Sequence, residues 1–489
     1  MTHHHTRLAA LPTEQLEEHV VFAEWRALRG VSARSLGRTR ALMDVLGYDP
    51  QAAPHRTIGV VGSKGKGTAC AYASAALAGL GHRVGTVMSP GVLSNADRIR
   101  MDGLVLESQV RRRLLLRIAQ GQAQLPPATA ETGYLAPTGL FLLMGFLAAA
   151  EAGCEVLVAE AGIGGASDDL SQWSLDAVVV TGIFAEHLDL LGPTVANIAR
   201  NKAAVITTRT QLAVCCPQTP EVAEVIAQRC AETGTELAHA NHDAGVLIPH
   251  LPEGFQRQNA AAGITAALRL SRSKNAAAEQ PAPATSHLGA EKWQNCDVAG
   301  AELPPHPDLT PPMSHNMADL SPPLAHRVQT VLASVRYPGR LSVHEVPDAA
   351  SRSRCAVDSA VSGAGLRVAL DFADQQLNHV DQVLVCLPPG KDLAGFIAEL
   401  EGFPGQKVFV ELPGAYTGTP DRSEWPTGPG WGWLRLADLG AGGVHEAEGS
   451  DDLLDLLRRG DSLAVGTVLF TSLVLRSLRA DAEALFTLL

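Results

Sequence analysis

Seven consecutive residues are suited to holding a phosphate: Gly62-Ser63-Lys64-Gly65-Lys66-Gly67-Thr68. Glycines let backbone N–H groups converge on an anion, Lys66 adds a full positive charge, and Thr68 offers a hydroxyl for phosphate or Mg²⁺. The spacing is not the commonest one, because Val60 stands six residues before Lys66, where the usual loop has glycine. Ser89, Glu160 and His187 follow, each just past an apolar run. Singly, such residues are often structural: a buried glutamate needs only hydrogen bonds or a partner, and a lone histidine is a common core residue. Together, a phosphate loop, a hydroxyl, a carboxylate and an imidazole supply what Mg-ATP requires, with oxygen and nitrogen ligands for a hard cation that keeps several waters.

These residues can cooperate only if secondary structure brings them to one place. Residues 58–61 form a short apolar run that reads as a buried strand, and the Ala-rich residues 69–80 read as a helix. Residues 84–88, 155–160 and 176–183 read as further strands, and 138–152 as an apolar helix. In a parallel sheet with helical crossovers, the carboxyl ends of the strands share one edge, where ligands bind. The predicted class is therefore α/β, with a P-loop-type, mostly parallel sheet flanked by helices. Residues 14–48 have helical periodicity and form a lead-in to this domain.

Strands and helices alternate again from Cys355 onward, which predicts a second, smaller Rossmann-like α/β domain. Between the two, residues 272–323 are dominated by Pro, Ala, Ser and His and offer little to build a core, so they read as a disordered or extended insertion. The expected division is 1–270 for an ATP-binding domain with its helical lead-in, 271–327 for the insertion and 328–489 for the C-terminal domain.

The formal net charge of −12 opposes general nucleic-acid binding, which needs a basic face. Eight cysteines are scattered without a Cys-x-x-Cys pair, so neither a zinc site nor a disulfide framework is expected. No apolar run reaches membrane length, and the N-terminus, with His3 to His5, has no apolar signal core, so a cytoplasmic protein without membrane contact is expected.

Gly62–Thr68 resembles the Gly-Thr-Asn-Gly-Lys-Gly-Ser loop of folylpolyglutamate synthases, within the Mur ligase superfamily. The resemblance extends over roughly residues 20–270 and 327–478. Met88-Ser89-Pro90 and Asp97-Arg98-Ile99 are similar to that family's Thr-Ser-Pro-His-Leu and Glu-Arg-Ile, with Gly91 in place of the histidine. Residues 159–165 match a motif whose glutamate is a metal ligand, here Glu160, and the family's following aspartate falls on Asp168. Glu186-His187 stands where the family has Asp-His, and Lys202 where it has a carbamylated lysine. Gln256 and Asn259 match its adenine-side His-Gln-x-x-Asn, with Phe255 replacing the histidine. Arg340 matches the arginine of Trp-Pro-Gly-Arg-Leu, and Asp358 matches the aspartate of Asp-Gly-Ala-His-Asn-Pro, whose histidine and asparagine are absent. Lys391-Asp392 matches a Lys-Asp pair.

The resemblance implies an ADP-forming ligase of the cytoplasm that uses ATP and Mg²⁺. A carboxylic acid would attack the γ-phosphate, and the amine of an amino acid, glutamate being plausible, would attack the resulting acyl phosphate. It implies nucleotide contacts from Gly62, Ser63, Lys64, Gly65, Lys66, Gly67, Thr68, Gln256, Asn259, Arg340 and Asp358. It implies metal contacts from Thr68, Ser89, Glu160 and His187, and catalytic roles for Lys66, His187, Lys202 and Arg340. The altered residues at Gly91, Phe255 and Val361 suggest a diverged ligase of specialised metabolism. A genuine folylpolyglutamate or dihydrofolate synthase is the alternative, and a silent nucleotide-binding homologue acting as a partner protein is a third reading. A monomer is expected.

Overall fold

The computed structural model describes residues 8–240, 242–278, 320–348, 353–377, 379–413, 418–437 and 449–488. The larger sheet contains β1 (Arg56–Val61), β2 (Val84–Val87), β3 (Ile99–Met101), β4 (Leu104–Val105), β5 (Val156–Glu160), β6 (Ala177–Val180), β7 (Leu212–Cys215) and β8 (Glu236–His239). Their spatial order is β4-β3-β2-β5-β1-β6-β7-β8. From β2 to β8 all neighbours are parallel, and only β3 and β4 run antiparallel at one edge. Residues 57–61 of β1 and all of β5 and β6 are buried. Their near-continuous apolar runs reflect a sheet covered on both faces.

Register decides what meets at the carboxyl edge. Val60 lies opposite Glu160, Val61 opposite Val180, and Val87 opposite Ala159. The phosphate loop, Ser89, Glu160 and Thr181 thus leave the sheet side by side.

Helix α1 (Lys66–Gly79) is buried from Gly67 to its end. It is sandwiched between the sheet, α4 (Phe255–Ala278) and α5 (Pro322–Ala333). Its small residues allow that approach. A Cβ on Gly263 of α4 would lie 2.2 Å from the Ala69 carbonyl oxygen, and one on Gly79 would lie 2.8 Å from Cα of Val328 in α5. The other face of the sheet carries α2 (Pro137–Glu151), whose Leu140, Phe141, Met144 and Phe146 form a core with Leu16, Val20, Leu42 and Met43 of the helical lead-in.

The second sheet contains β9 (Ser342–Glu345), β10 (Arg354–Asp358), β11 (Gln382–Cys386), β12 (Gln406–Glu411), β13 (Trp431–Arg435) and β14 (Ser462–Gly466). The order is β13-β12-β11-β14-β10-β9, parallel except for β9. Helices α6 (Gly363–Gln376) and α7 (Val468–Ser477) pack against it.

Two helices run across the limits expected from the sequence. Pro322 and Pro323 do not close an irregular segment but open α5, where the first turn needs no proline N–H. Helix α5 then belongs to the first domain by its packing on α1. At the opposite end, α4 continues to Ala278, and residues 279–319 of the expected insertion lie outside the described residues. The C-terminal residues also return to the first domain. Leu485 N–H donates to Gly103 O at 2.8 Å, Arg336 N–H donates to Leu485 O at 2.8 Å, and Phe486 is buried in the core around α1. Short apolar segments of this kind carry no local signal of which core they will join.

Among the described residues, no helix is long and apolar enough to cross a membrane, and all seven cysteines are free and buried.

Candidate active site

Each glycine of the phosphate loop is required by a different neighbour. Gly62 has φ 142°, and a Cβ there would lie 1.9 Å from the Thr181 hydroxyl. Gly65, left-handed at φ 87°, precedes the first residue of α1, and its Cβ would lie 2.2 Å from Asn259 Nδ2. A Cβ on Gly67 would lie 2.2 Å from the Tyr337 hydroxyl. The loop is thus clasped by β6, by the head of α4 and by the connection to the second lobe. Asn259 is held there by donating to Phe255 O at 2.7 Å. Its Oδ1 accepts from Cys216 Sγ at 3.5 Å.

The loop's polar side chains point in three directions. Ser63 is tied to the segment that follows β6: its N–H donates to Gly182 O at 3.0 Å, and its hydroxyl accepts from Phe184 N–H at 3.2 Å. Lys64 faces the second lobe, where a Cβ on Gly365 of α6 would lie 3.2 Å from its Nζ. Burial lowers its pKa, the charge of Asp358 opposes that shift, and Arg340 adds to it. Lys66 folds back and donates to Gly62 O at 3.1 Å.

Glu160 ends β5 and is buried. Burial raises its pKa, while Lys66 and then the Ser89 N–H, which donates to Oε2 at 3.0 Å, favour its charged form. The Ser89 hydroxyl accepts from Arg98 Nη1 at 3.3 Å, and Arg98 lies over the Phe141 ring. Asp168 shapes the turn after Glu160. It is fully buried and accepts from Gly162 N–H, Ile163 N–H and Leu170 N–H, and from Arg34, each at 3.1 Å. Asn201 of α3 (Val195–Ala203) holds the same turn by accepting from Gly165 N–H at 2.9 Å.

Lys202, also on α3, is buried under the phosphate loop. It donates to Gly62 O at 2.8 Å and pairs with Glu186 Oε1 at 2.9 Å. Burial lowers its pKa, as does Lys66, and Glu186 opposes both. His187 follows Glu186 in a left-handed conformation at φ 45°. Partial burial lowers its pKa; Glu186 opposes this, and Lys391 of the second lobe reinforces it. Among the described residues, no three His, Cys, Asp or Glu side chains form a ready ligand group, so Glu160 and His187 are not gathered with a third such residue.

The second lobe closes the arrangement. Leu341 N–H donates to Asp358 Oδ2 at 3.0 Å. Burial raises the pKa of Asp358, and Lys64 and Arg340 oppose that rise. Arg340 lies over the Tyr337 ring, and its carbonyl accepts from Gln256 Nε2 at 3.0 Å. The segment after Ser89 is docked on α7: Val92 O accepts from Ser472, and Leu93 O accepts from Arg476 Nε at 2.9 Å. A Cβ on Gly91 would lie 1.9 Å from the Ser94 carbonyl oxygen, so this turn has no room for a side chain there.

Lys66, Lys202, Lys64 and Arg340 therefore surround the head of a buried helix, opposite the carboxylates Glu160 and Asp358. That field suits an anion carrying a divalent cation. Glu186 and Tyr337 were not singled out as site residues. Their signal was weak: Glu186 differed from an expected aspartate, and Tyr337 stood beside a matched Pro-Gly-Arg.

No family model matches the chain. A dihydrofolate synthase/folylpolyglutamate synthase of Mycobacterium tuberculosis is 30% identical over 252 residues, which is 49% of this chain and 50% of that protein. A folylpolyglutamate synthase of Neurospora crassa is 30% identical over 275 residues, 53% of this chain and 51% of the relative. The Escherichia coli dihydrofolate synthase/folylpolyglutamate synthase is 29% identical over 223 residues, 43% and 51%. The chain thus spans about half the length of the curated relatives it matches. In fold the likeness is nearly complete. Mycobacterium tuberculosis folylpolyglutamate synthase complexed with ADP and AMPPCP aligns over 95% of this chain and 99% of its own, at a TM-score of 0.70 and 19% identity. Over half its length in sequence and over almost all of it in fold, the chain is similar to folylpolyglutamate synthases, and it shares their two-domain fold.

Proposed function

We propose that the chain is an ATP-dependent ligase that joins a carboxylic acid to the amino group of an amino acid, releasing ADP and phosphate. The observation carrying this reading is the convergence of Lys66, Lys202, Glu160 and Arg340 on one glycine-built loop between two lobes. Relatives named as folylpolyglutamate synthases, and a structural neighbour complexed with ADP and AMPPCP, support it.

The residues present fit ATP and Mg²⁺. The loop is a cradle that any Cβ would fill, and Gln256 Oε1 is a buried acceptor without a partner among the described residues, suited to an amino group of a nucleotide base. Glu160 accepts a backbone N–H and, among the described residues, makes no ion pair, leaving it open to a cation. Thr68, Ser89 and Glu160, with His187, would hold Mg²⁺, which supplies charge neutralisation on the phosphates when bound. Gly62, Ser63, Lys64, Gly65, Gly67, Asn259 and Asp358 would line the nucleotide site, chiefly through backbone and lobe contacts.

The chain's own residues would act by position and charge. Lys66 leaves Gly62 O to bind the transferring phosphoryl group, and Arg340 approaches it from the second lobe. The acid carboxylate attacks the γ-phosphorus and ADP departs. The amine then attacks the acyl carbon, phosphate leaves, and the amide forms. Lys202 contributes as a cation beneath the loop, because its amine is already occupied by Glu186 and Gly62 O. Docking of residues 92–93 on α7 and the loss of side-chain space at Gly91 favour a diverged acid substrate. The relatives' names favour folates, with glutamate as the amine. Incubation with Mg-ATP, glutamate and a panel of acids, followed by mass spectrometry, separates these readings. Folate amides support the second, amides of other acids support the first, and ATP binding without any product leaves a non-catalytic partner protein.

A further inference from the structure

At the far end of α1, roughly 20 Å along the helix from the phosphate loop, three side chains from separate elements meet. His82 follows α1, Glu155 immediately precedes β5, and Ser271 lies on α4. His82 Nε2 is 2.8 Å from Ser271 Oγ, and its Nδ1 is 3.3 Å from Glu155 Oε2. An ionised carboxylate only accepts, so Glu155 fixes the ring hydrogen on Nδ1 and leaves Nε2 bare to take the Ser271 proton. Hydroxyl to imidazole and imidazole to carboxylate, on those atoms, is the arrangement that activates a serine nucleophile on unrelated folds.

The three groups are held in place but not sealed. Glu155 Oε1 accepts from Arg83 N–H at 3.4 Å, and Glu155 O accepts from Arg56 N–H at 3.0 Å. Arg56 Nη1 donates to Leu270 O at 2.6 Å, which ties the turn of α4 carrying Ser271 to the start of β1. The His82 side chain is 13% exposed and that of Glu155 38%, and Ser271 is half-buried. Beside His82, the place that a Cβ on Gly81 would take meets, apart from its chain neighbours, only Arg327 Nη1 within 4 Å, at 3.7 Å. The approach is therefore open, and an exposed guanidinium of α5 faces it. Such a group stabilises negative charge developing on a substrate oxygen.

We propose that Ser271, His82 and Glu155 form a second catalytic site, which cleaves small carboxylic esters and does not depend on the ligase reading. Ser271 Oγ bonds to the acyl carbon as its proton passes to His82 Nε2. The bond from the acyl carbon to the alcohol oxygen breaks, and the alcohol leaves with that proton. Water, deprotonated by the same nitrogen, then attacks the acyl-serine, releasing the acid and restoring the hydroxyl. Glu155 keeps the ring oriented throughout, and Arg327 meets the oxyanion in both halves. The half-burial of Ser271 in the packing of α4 restricts the acyl group to a short chain.

Treating the full chain with a fluorophosphonate probe and mapping the adduct by peptide mass spectrometry tests this without any variant. The expected adduct is on Ser271. Hydrolysis of p-nitrophenyl acetate gives the second readout. Ser271→Ala should lose the adduct, and both it and Glu155→Gln should slow hydrolysis by about tenfold or more, with thermal midpoints close to wild type. No adduct, or an adduct on another residue, would overturn the proposal. So would hydrolysis unchanged in either variant, which would mark the three side chains as a hydrogen-bonded fastening between α4 and β5 only.

Discussion

Lys66 and Lys202 donate to the same oxygen, the carbonyl of Gly62, at 3.1 and 2.8 Å. Two ammonium groups on one acceptor repel each other, and the arrangement holds because Glu186 balances Lys202 from behind. Lys66 acts on Glu160 through charge but, among the described residues, makes no ion pair, so it is the one free to leave for a phosphate. Replacing Lys66 with Ala should abolish amide formation while leaving the circular dichroism spectrum and thermal midpoint close to wild type. Wild-type turnover in that variant would remove the phosphate-loop assignment.

Removing Glu186 should be more damaging to the fold. Lys202 is buried, so Glu186→Ala would leave its ammonium uncompensated at a cost of about 3 kcal/mol, at the low end for a buried pair because Glu186 is partly open to solvent. Urea unfolding measures this directly.

The glycines allow a controlled comparison. Gly65 and Gly234 are both left-handed, at φ 87° and φ 70°, but only Gly65 has a neighbour that a Cβ would strike. Gly234→Ala should cost about 1 kcal/mol of backbone strain. Gly65→Ala must also displace Asn259, so it should lose nucleotide binding and several times more stability. Equal losses in the two variants would show that the clasp between the loop and α4 is not tight.

Lys64 and Asp358 should be energetically coupled across the lobes. Burial makes each costly to ionise, and each favours the charged form of the other. A double-mutant cycle with Lys64→Met and Asp358→Asn is expected to give an interaction of about 0.5–3 kcal/mol. Additive effects would separate the phosphate loop from the second lobe.

The pH dependence of stability has a sign fixed by His55. Burial lowers its pKa from 6.5 to about 4. Between those values the unfolded chain binds more protons than the folded one, so stability falls as pH drops from 6.5 toward 4 and then levels. The shift corresponds to roughly 3 kcal/mol at its limit. Arg56, Asp176 and Arg209 line a cavity with His55, so the clean measurement is the difference between wild type and His55→Phe, which should widen in favour of the variant as pH falls. A difference independent of pH would contradict a neutral buried imidazole.

Much of this architecture was legible from local signals. The apolar runs ending at Val61, Glu160 and Ile183 read as buried strands, the last stopping at Val180 in the structure, and the three glycines with Lys66 announced a phosphate loop, because period, composition and φ preference are properties of short segments. The alternation after Cys355 likewise showed a second α/β lobe. What only the tertiary structure decided was the assignment of partners. Lys64 faces Asp358, Lys202 meets Glu186 beneath the loop, and Tyr337 sits on Gly67. Helix α5 and Phe486 return to a core that their positions in the chain do not announce. Each of these depends on contacts between residues far apart in sequence. Such contacts are set by strand register and lobe docking, which leave no periodic trace in the residues that make them.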